Sequence, residues 1–315
     1  MAAPTTCPIC SGRLVLRYPG TTRAPDAEAL SPTNHRPGEY GDLYACTACG
    51  TIQQPSLPSG PELAALYRQM HDEAYLAEEA GRRRTARRML DLIDQHAAPG
   101  RLLDVGCGPG LLLDEARARG HEVEGVELSV AAAAHARDEL GLLVHEVAIE
   151  DFDGEEGGYG AIVLADVLEH LADPVAALRR CNELLRPGGL LCVVTPDPSS
   201  RMARLAGARW WGFLPAHTFL LPRATLRDVL AAEGFAVSQE VPLVRSFSAR
   251  YWVAGLAERG GGLGTAIGAI AKAAPRRTTL SLSLGDERIV LGHKRSRRFR
   301  PRAVERAEPV AVRES

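Results

Sequence analysis

The sequence predicts an α/β chain. A doubly wound, mostly parallel sheet of seven strands is preceded by a small N-terminal zinc module. Three observations carry this. Apolar strand-like runs alternate with helical patterns from residue 101 to residue 196, which is how strand–helix–strand units of a parallel sheet read. The first of these strands, "LLDV", runs straight into "GCGPG", a glycine turn that opens a helix. Two C-x-x-C pairs, Cys7 with Cys10 and Cys46 with Cys49, stand near the start, each closely followed by glycine.

The N-terminal module spans residues 1–59 and is rich in Pro, Gly and Thr. Four thiolates in two such pairs suit one tetrahedral zinc, and a closed four-cysteine shell leaves no position for substrate. This zinc is therefore structural, and a module too small for its own core should need it to fold. "RLVLRY" (13–18) and "DLYAC" (42–46) are expected to pair around a loop at 19–38. "QQPSLPSGP" (53–61) reads as a linker, so the module is expected to stand apart. Cys107, Cys181 and Cys192 are isolated and read as packing.

A leading helical segment covers 60–98, with apolar residues at Leu63, Leu66, Tyr67 and Met70, then Met89, Leu90 and Ile93. "APG" (98–100) ends it. The main domain spans 99–295. Its strands are expected at 101–106, 121–128, 142–151, 159–166, 190–196, 236–244 and 287–295. Helices are expected at 111–120, at 129–140 with Ser129 as N-cap, at 173–185 and at 223–235. "RPGG" (186–189) turns the chain into the fifth strand. Residues 250–275, apolar and rich in small residues, read as a packing insertion in preference to an amphipathic membrane helix. Residues 296–315 read as a charged, flexible tail.

Composition narrows the function. An apolar content of 45%, a charged content of 24% and a net charge of −2 describe an ordinary globule with no global pull toward nucleic acid. The first ten residues lack a basic start and an apolar run, so no secretory leader is expected. No stretch is long and apolar enough for a membrane span. Seven cysteines, four of them in tight pairs, fit a reducing compartment, and cytoplasm is expected.

The glycine turn marks a nucleotide-type cofactor. The dinucleotide fingerprint G-x-G-x-x-G fails, because Leu111 holds its sixth position. G-x-G-x-G after an acidic strand residue resembles motif I of the class I S-adenosylmethionine (SAM) methyltransferases. "FDGEEGGYGAIVLADVLEHLADP", "LLRPGGLLCVVTPD" and the later "HTFL" resemble the branch that holds the ubiquinone-type O-methyltransferases, across residues 62–295. The resemblance implies a Rossmann-like methyltransferase fold with SAM as cofactor. It implies that Asp104 faces the cofactor's ammonium and that Gly106, Gly108 and Gly110 bring the backbone close. It further implies that Glu127 accepts the ribose hydroxyls, that Ile149 and Glu150 hold the adenine, and that Tyr75 closes over the site. Gly160 stands where the family usually has Asp, which should alter packing more than chemistry.

Asp166, Glu169 and His170 in "ADVLEH" fall at i, i+3 and i+4, one face of a helical turn. Similar Glu-x-x-Glu-His residues hold a divalent ion in the resembled branch. Three roles are open for the trio here: a divalent cation site, acid–base work by Glu169 and His170, or bracing of the turn. His217 is the other catalytic candidate. It follows an aromatic run in which Trp210, Trp211 and Phe213 are expected to line an apolar pocket.

The activity this implies is methyl transfer from SAM to an oxygen or carbon acceptor on a small molecule, glycan or nucleotide sugar. Four-cysteine ribbons like this one precede nucleotide-sugar C-methyltransferases and, with closer knuckles, ribosomal-RNA guanine methyltransferases; the long extra C-terminal domain of the sugar enzymes has no counterpart here, so the ribbon alone does not choose the acceptor. Two other readings stand beside it. An RNA methyltransferase would use the ribbon and the basic run "HKRSRRFRPR" (293–302), although the ribbon is not basic and the run has no interleaved aromatic beyond Phe299. A non-catalytic SAM-binding protein would need only the loop.

Overall fold

The computed structural model describes residues 5–21, 26–31, 33, 39–55, 57–58, 60–259 and 278–296. Most of the expected tail, part of the insertion at 250–275 and part of the loop at 19–38 lie outside the described residues.

Near the N-terminus, β1 (Leu14–Tyr18), β2 (Leu43–Cys46) and β3 (Ile52–Gln53) form an antiparallel sheet in which Leu14 meets Cys46 and Ala45 meets Ile52. Helices α1 (Gly60–Arg68), α2 (Glu73–Ala77) and α3 (Glu79–His96) follow. The alternating part comprises β4 (Arg101–Val105), α4 (Leu111–Arg117), β5 (Glu122–Val126), α5 (Val130–Asp138), β6 (Val144–His145), β7 (Tyr159–Ala165), α6 (Pro174–Leu184) and β8 (Leu185–Pro196). Then come α7 (Arg201–Ala206), β9 (Phe219–Leu220), α8 (Arg223–Ala232), β10 (Phe235–Pro242), β11 (Arg245–Ser248), α9 (Ala249–Arg259), β12 (Thr279–Leu282) and β13 (Glu287–Lys294).

The central sheet has seven strands in the order β10-β13-β8-β7-β4-β5-β6. Pairings from β8 to β6 are parallel, and β13 runs antiparallel to both β8 and β10. Both faces are apolar because both are covered by helices. Along β7, Ile162 and Leu164 join the core against α6 and α8. Ala161 and Val163 join the core against α3, α4 and α5. Side chains that alternate between two buried faces explain why these strands read as unbroken apolar runs.

Helix starts follow their caps. Ser129 Oγ accepts from Ala132 N at 3.2 Å, and Asp173 Oδ1 accepts from Val175 and Ala176 N, with Pro174 in the first turn. β8 begins at Leu185 rather than Leu190. Leu185 already pairs with Tyr159, and a register shift between Tyr159 and Ala161 absorbs the "RPGG" turn. A Cβ on Gly160 would stand 3.5 Å from Arg186 Nη2, an ordinary contact, so the departure there concerns packing around an arginine.

Two features depart from the sequence reading. β11 and β12 pair as a small separate sheet, although neither was anticipated. The N-terminal module does not stand apart either. β3 pairs with β9, so Ile52 meets Leu220 and Gln53 meets Phe219, giving one four-stranded sheet. Tyr40, Leu43 and Ile52 pack with Trp210, Phe213 and Leu220. The start of the supposed linker is a strand, because Ile52 buries itself against the main domain. Among the described residues, no helix is long and apolar enough to cross a membrane.

Candidate active site and metal site

β4 delivers the glycine turn to the carboxyl edge of the sheet, where open α/β sheets bind ligands. Gly106, Gly108 and Gly110 have φ of 67°, 55° and 84°, a region that only glycine enters cheaply. Gly106 N and Cys107 N both donate to Val126 O, which ties the turn to β5. A Cβ on Gly106 would lie 2.5 Å from Val167 Cγ2, whereas one on Gly108 would meet nothing within 4 Å. Gly108 therefore presents bare backbone to open space.

That space is a cavity of about 1150 Å³. Gly106, Gly108, Glu127, Ile149 and Glu150 line one end of it. Gly110 does not, since it packs on Ala136 and Leu142. Asp104 does not line the wall either. It is only 3% exposed and lies behind the turn, where burial and the nearby Glu127 push its carboxyl well above the usual range. Glu127, 9% exposed, accepts from Gly108 N (2.8 Å) and Ser129 N (2.7 Å), and burial raises its pKa. Tyr75 lines the same cavity, with the Arg82 guanidinium 3.5 Å from its ring centre. No carboxylate pairs with Arg82 among the described residues.

Glu169, His170 and His217 lie further along the wall. The turn after β7 brings the first two into place, and the segment before β9 supplies the third. One ligand atom from each falls within 4.8 Å of the others. The grouping differs from the expected one. Asp166 has φ 58° and is bonded to Arg245 at 2.7 Å, and Arg245 also holds Glu287. The Asp166 carboxylate is already engaged by Arg245, so it is not grouped with Glu169 and His170, and His217 takes its place. Trp210 and Phe213 depart from expectation too. They are buried against the ribbon, and only Trp211 of the three lines the cavity. Both tryptophan Nε1 groups donate to Asp286, at 2.8 and 2.5 Å.

The two histidines differ in what they have left to offer. His170 Nδ1 is 2.8 Å from the Tyr67 hydroxyl, and its ring also bonds the Ala216 backbone. His217 Nδ1 lies 2.7 Å from Gly212 O. A carbonyl only accepts, so Nδ1 carries the proton and Nε2 keeps its lone pair. Among the described residues, His217 Nε2 makes no hydrogen bond. Burial lowers the pKa of His170 to about 4, and burial together with the neighbouring His170 lowers that of His217 to about 3. Both rings are neutral at pH 7, with centroids 4.8 Å apart, edge to face. Glu169 Oε2 accepts from Thr195 Oγ1 at 2.9 Å, and burial followed by the Asp166 charge raises its pKa well above normal.

This has a consequence for acid stability. Below about 6.5 the unfolded His217 takes up a proton that the folded one refuses, so its contribution to stability falls as pH drops toward about 3. His217→Asn should reduce the slope of stability against pH by about 1.4 kcal/mol per unit between pH 4 and 6. Denaturant unfolding of both proteins across that window measures it. Identical slopes would mean an ordinary, solvated histidine.

The four cysteines form a second cluster, with their Sγ atoms all within 4.8 Å of one another. Cys7 and Cys49 sulfurs are 3.9 Å apart and those of Cys10 and Cys46 3.4 Å apart. A zinc–sulfur bond of about 2.3 Å puts the corners of a tetrahedron about 3.8 Å apart, so the donor set fits. The amides of Ala48 and Cys49 point at the Cys46 sulfur. A Cβ on Gly12 would stand 2.8 Å from that sulfur, so the knuckle closes only around glycine.

Residues 77–240 match the family model described as a methyltransferase domain, over half of the chain. The chain belongs to this methyltransferase family. Among curated proteins it is similar to the ubiquinone biosynthesis O-methyltransferases of Alkalilimnicola ehrlichii (34% identity, 35% of this chain, 48% of that protein) and Maricaulis maris (34%, 47% and 65%). It is similar also to that of Acinetobacter baylyi (28%, 52% and 77%). The chain thus spans between about half and two thirds of the first two relatives. Among solved structures it is similar to geranyl diphosphate C-methyltransferase from Streptomyces coelicolor, with 19% identity, a TM-score of 0.46 and coverage of 68% of this chain and 77% of that one. The family match takes in the glycine turn, Glu127, Glu169, His170 and His217. It leaves out the four cysteines, Tyr67 and Arg245, so the four-cysteine module and part of the cavity are features beyond the matched domain.

Sequence reasoning missed Tyr67, Arg82 and Arg245 as cavity residues. Tyr67 was read only as an apolar helix position, and the two arginines carry no local motif.

Proposed function

We propose that the protein transfers the methyl group of SAM to an oxygen or carbon acceptor on a small molecule, with glycans and nucleotide sugars as the candidate classes. One observation carries this reading. A single cavity has the bare backbone of Gly108 and the Glu127 carboxylate at one end and the unengaged Nε2 of His217 on its wall. Its volume exceeds the roughly 300–1,000 Å³ typical of one drug-sized ligand, which suits a cofactor and an acceptor together. The relatives named as O-methyltransferases favour oxygen as the receiving atom. Seven cysteines, four of them gathered in one cluster that suits a metal, favour a reducing, cytoplasmic compartment.

Bound SAM supplies an electrophilic methyl on a sulfonium sulfur. Glu127 accepts the ribose hydroxyls while its Gly108 bond holds the turn. Ile149 and Glu150 flank the adenine. Asp104 reaches the ammonium only through water, from behind the turn. Arg82, which has no carboxylate partner among the described residues, would receive the cofactor's carboxylate, and Tyr75 would cover it. His217 Nε2 would accept a hydrogen bond from the acceptor hydroxyl and take its proton as oxygen bonds to the methyl carbon and the carbon–sulfur bond breaks, leaving a neutral thioether. A protonated ether is a much stronger acid than imidazolium, so even a weakly basic imidazole suffices. His170, Tyr67 and Glu169 hold the acceptor side in shape. Two or more such aligned contacts supply most of the rate by positioning.

Calorimetric titration of S-adenosylhomocysteine tests the cofactor. Wild type should bind, and Glu127→Ala should lose about 100-fold in affinity, since two hydrogen bonds to a charged acceptor are worth about 3 kcal/mol together. A folded wild type that does not bind overturns the reading.

A second reading is favoured by the 4.8 Å grouping: a divalent ion held by Glu169, His170 and His217. It would lower the pKa of the acceptor hydroxyl. Metal analysis of the purified protein separates the two. A second metal equivalent that vanishes in Glu169→Gln supports the ion, and a single equivalent held by the cysteines removes it. The RNA reading leans on the ribbon and the basic run 293–302, of which residues 297–302 lie outside the described residues.

A further inference from the structure

The segment carrying His217 is gripped from two sides. On one side, Thr218 N and Oγ1 donate to Glu169 O at 2.7 and 2.9 Å, and the same hydroxyl reaches Leu171 O at 2.6 Å. This fixes the segment to the turn that carries Glu169 and His170. On the other side stands the ribbon. Gln54, directly after β3, is 3% exposed, and its backbone N donates to Thr218 O at 3.0 Å. Its side-chain Nε2 donates to Leu214 O at 2.7 Å and to His217 O at 2.6 Å, and its Oε1 accepts from Gly41 N at 2.7 Å.

A primary amide has two N–H donors and one carbonyl. Here both donors are spent on the segment that bears His217, and the carbonyl is spent on the ribbon's own backbone. No residue of similar size other than glutamine can do both. Glutamate would set carboxylate oxygens against two carbonyls, and an apolar side chain would leave buried carbonyls unmatched. The connection also leads back to the cysteines. Thr51 O accepts from Cys46 N at 2.9 Å, and Cys49 O accepts from Thr225 Oγ1 at 2.5 Å, so the metal knuckle, β3 and Gln54 form one continuous brace.

We propose that Gln54 is a positioning residue for His217, and that through it the zinc ribbon sets the geometry of the acceptor side of the cavity. This rests on the reading of His217 as the group that takes the acceptor's proton. The ribbon is then a working wall of the active site and not a docking appendage. A fixed carbonyl at His217 fixes the turn from Gly212 to His217, hence the Gly212 carbonyl that selects the Nδ1-protonated tautomer.

The test needs no acceptor. Full-length, zinc-loaded protein with nitrogen-15-labelled histidine is examined by long-range proton–nitrogen correlation, which reads the two ring nitrogens of His217 separately; His217→Asn assigns the signals. In wild type, one protonated and one bare nitrogen should be resolved. In Gln54→Glu, the separation between them should collapse as the tautomer is no longer fixed. Zinc should stay at one equivalent per chain, and S-adenosylhomocysteine affinity should stay within about threefold of wild type, because Gln54 touches nothing at the cofactor end. Gln54→Met, of similar length but without polar atoms, should move the signals in the same direction by less, and it decides the matter if the glutamate variant loses zinc. His217 signals that superpose on wild type in the methionine variant overturn the proposal. If instead those signals move but His217→Asn leaves methyl transfer intact, Gln54 still positions His217 and it is the proton-accepting reading that fails.

Discussion

Replacing His217 by asparagine is expected to lower methyl transfer about 10²-fold to 10⁴-fold, the range for losing a positioned general base, with S-adenosylhomocysteine affinity changed by no more than about twofold. Asparagine is the informative substitution. Its amide can still donate to the Gly212 carbonyl, as His217 Nδ1 does, so the turn keeps its bond while the bare Nε2 disappears. The wild-type pH profile should carry the same signature. A pKa held down to about 3 places the acid limb near or below pH 4, far from the 6.5 of a solvated imidazole. Initial rates across pH 3.5 to 8 check this. An acid limb near 6.5, or equal losses of rate and cofactor affinity in the asparagine variant, would assign His217 to folding instead. Tyr67→Phe should cost less than His217→Asn, since the hydroxyl touches His170 and not the free nitrogen.

Loss of the zinc that we propose the four cysteines hold is the second large effect. Structural zinc contributes about 10–16 kcal/mol to small four-ligand modules at neutral pH, which rivals the roughly 5–15 kcal/mol that holds a whole domain folded. Cys46→Ser should therefore reduce bound zinc from one equivalent to nearly none and release the ribbon from the main domain. The chain carries its own reporter. It has three tryptophans, and Trp210, 1% exposed, is packed against Tyr40, Leu43 and Ile52 of the ribbon. Chelation or Cys46→Ser should shift tryptophan emission to longer wavelength and open residues 1–59 to protease. A zinc-free protein with unchanged emission and unchanged protease resistance would show that packing alone holds the ribbon.

The parts legible in sequence were those written locally. Strands buried on both faces read as apolar runs, and "GCGPG" after "LLDV" needs positive φ at three nearby positions, so the sheet and the cofactor turn follow from short stretches. Cysteine spacing pointed in the same way to the cluster that the four thiols form. What escaped was written in pairs far apart. Asp166 was grouped with Glu169 and His170 by helical spacing, but the backbone there is left-handed and the carboxylate belongs to Arg245. Trp210 looked like a pocket residue because its partner surface, the ribbon, has no local mark of complementarity. Strands of two residues, such as β3 and β9, are too short to show a period at all.

The pairing of β3 with β9 also orders events during synthesis. Ile52 emerges early, yet its partner Leu220 closes a loop of roughly 170 residues. The cysteines can come together and β1 can pair with β2 as soon as Cys49 has been made, but β3 keeps an open edge until the five parallel strands of the central sheet have been made. Contacts of such long range form late and slowly. A nascent chain would thus carry an apolar, unpaired strand edge for most of its translation, the kind of surface on which chaperones act and from which misassembly starts.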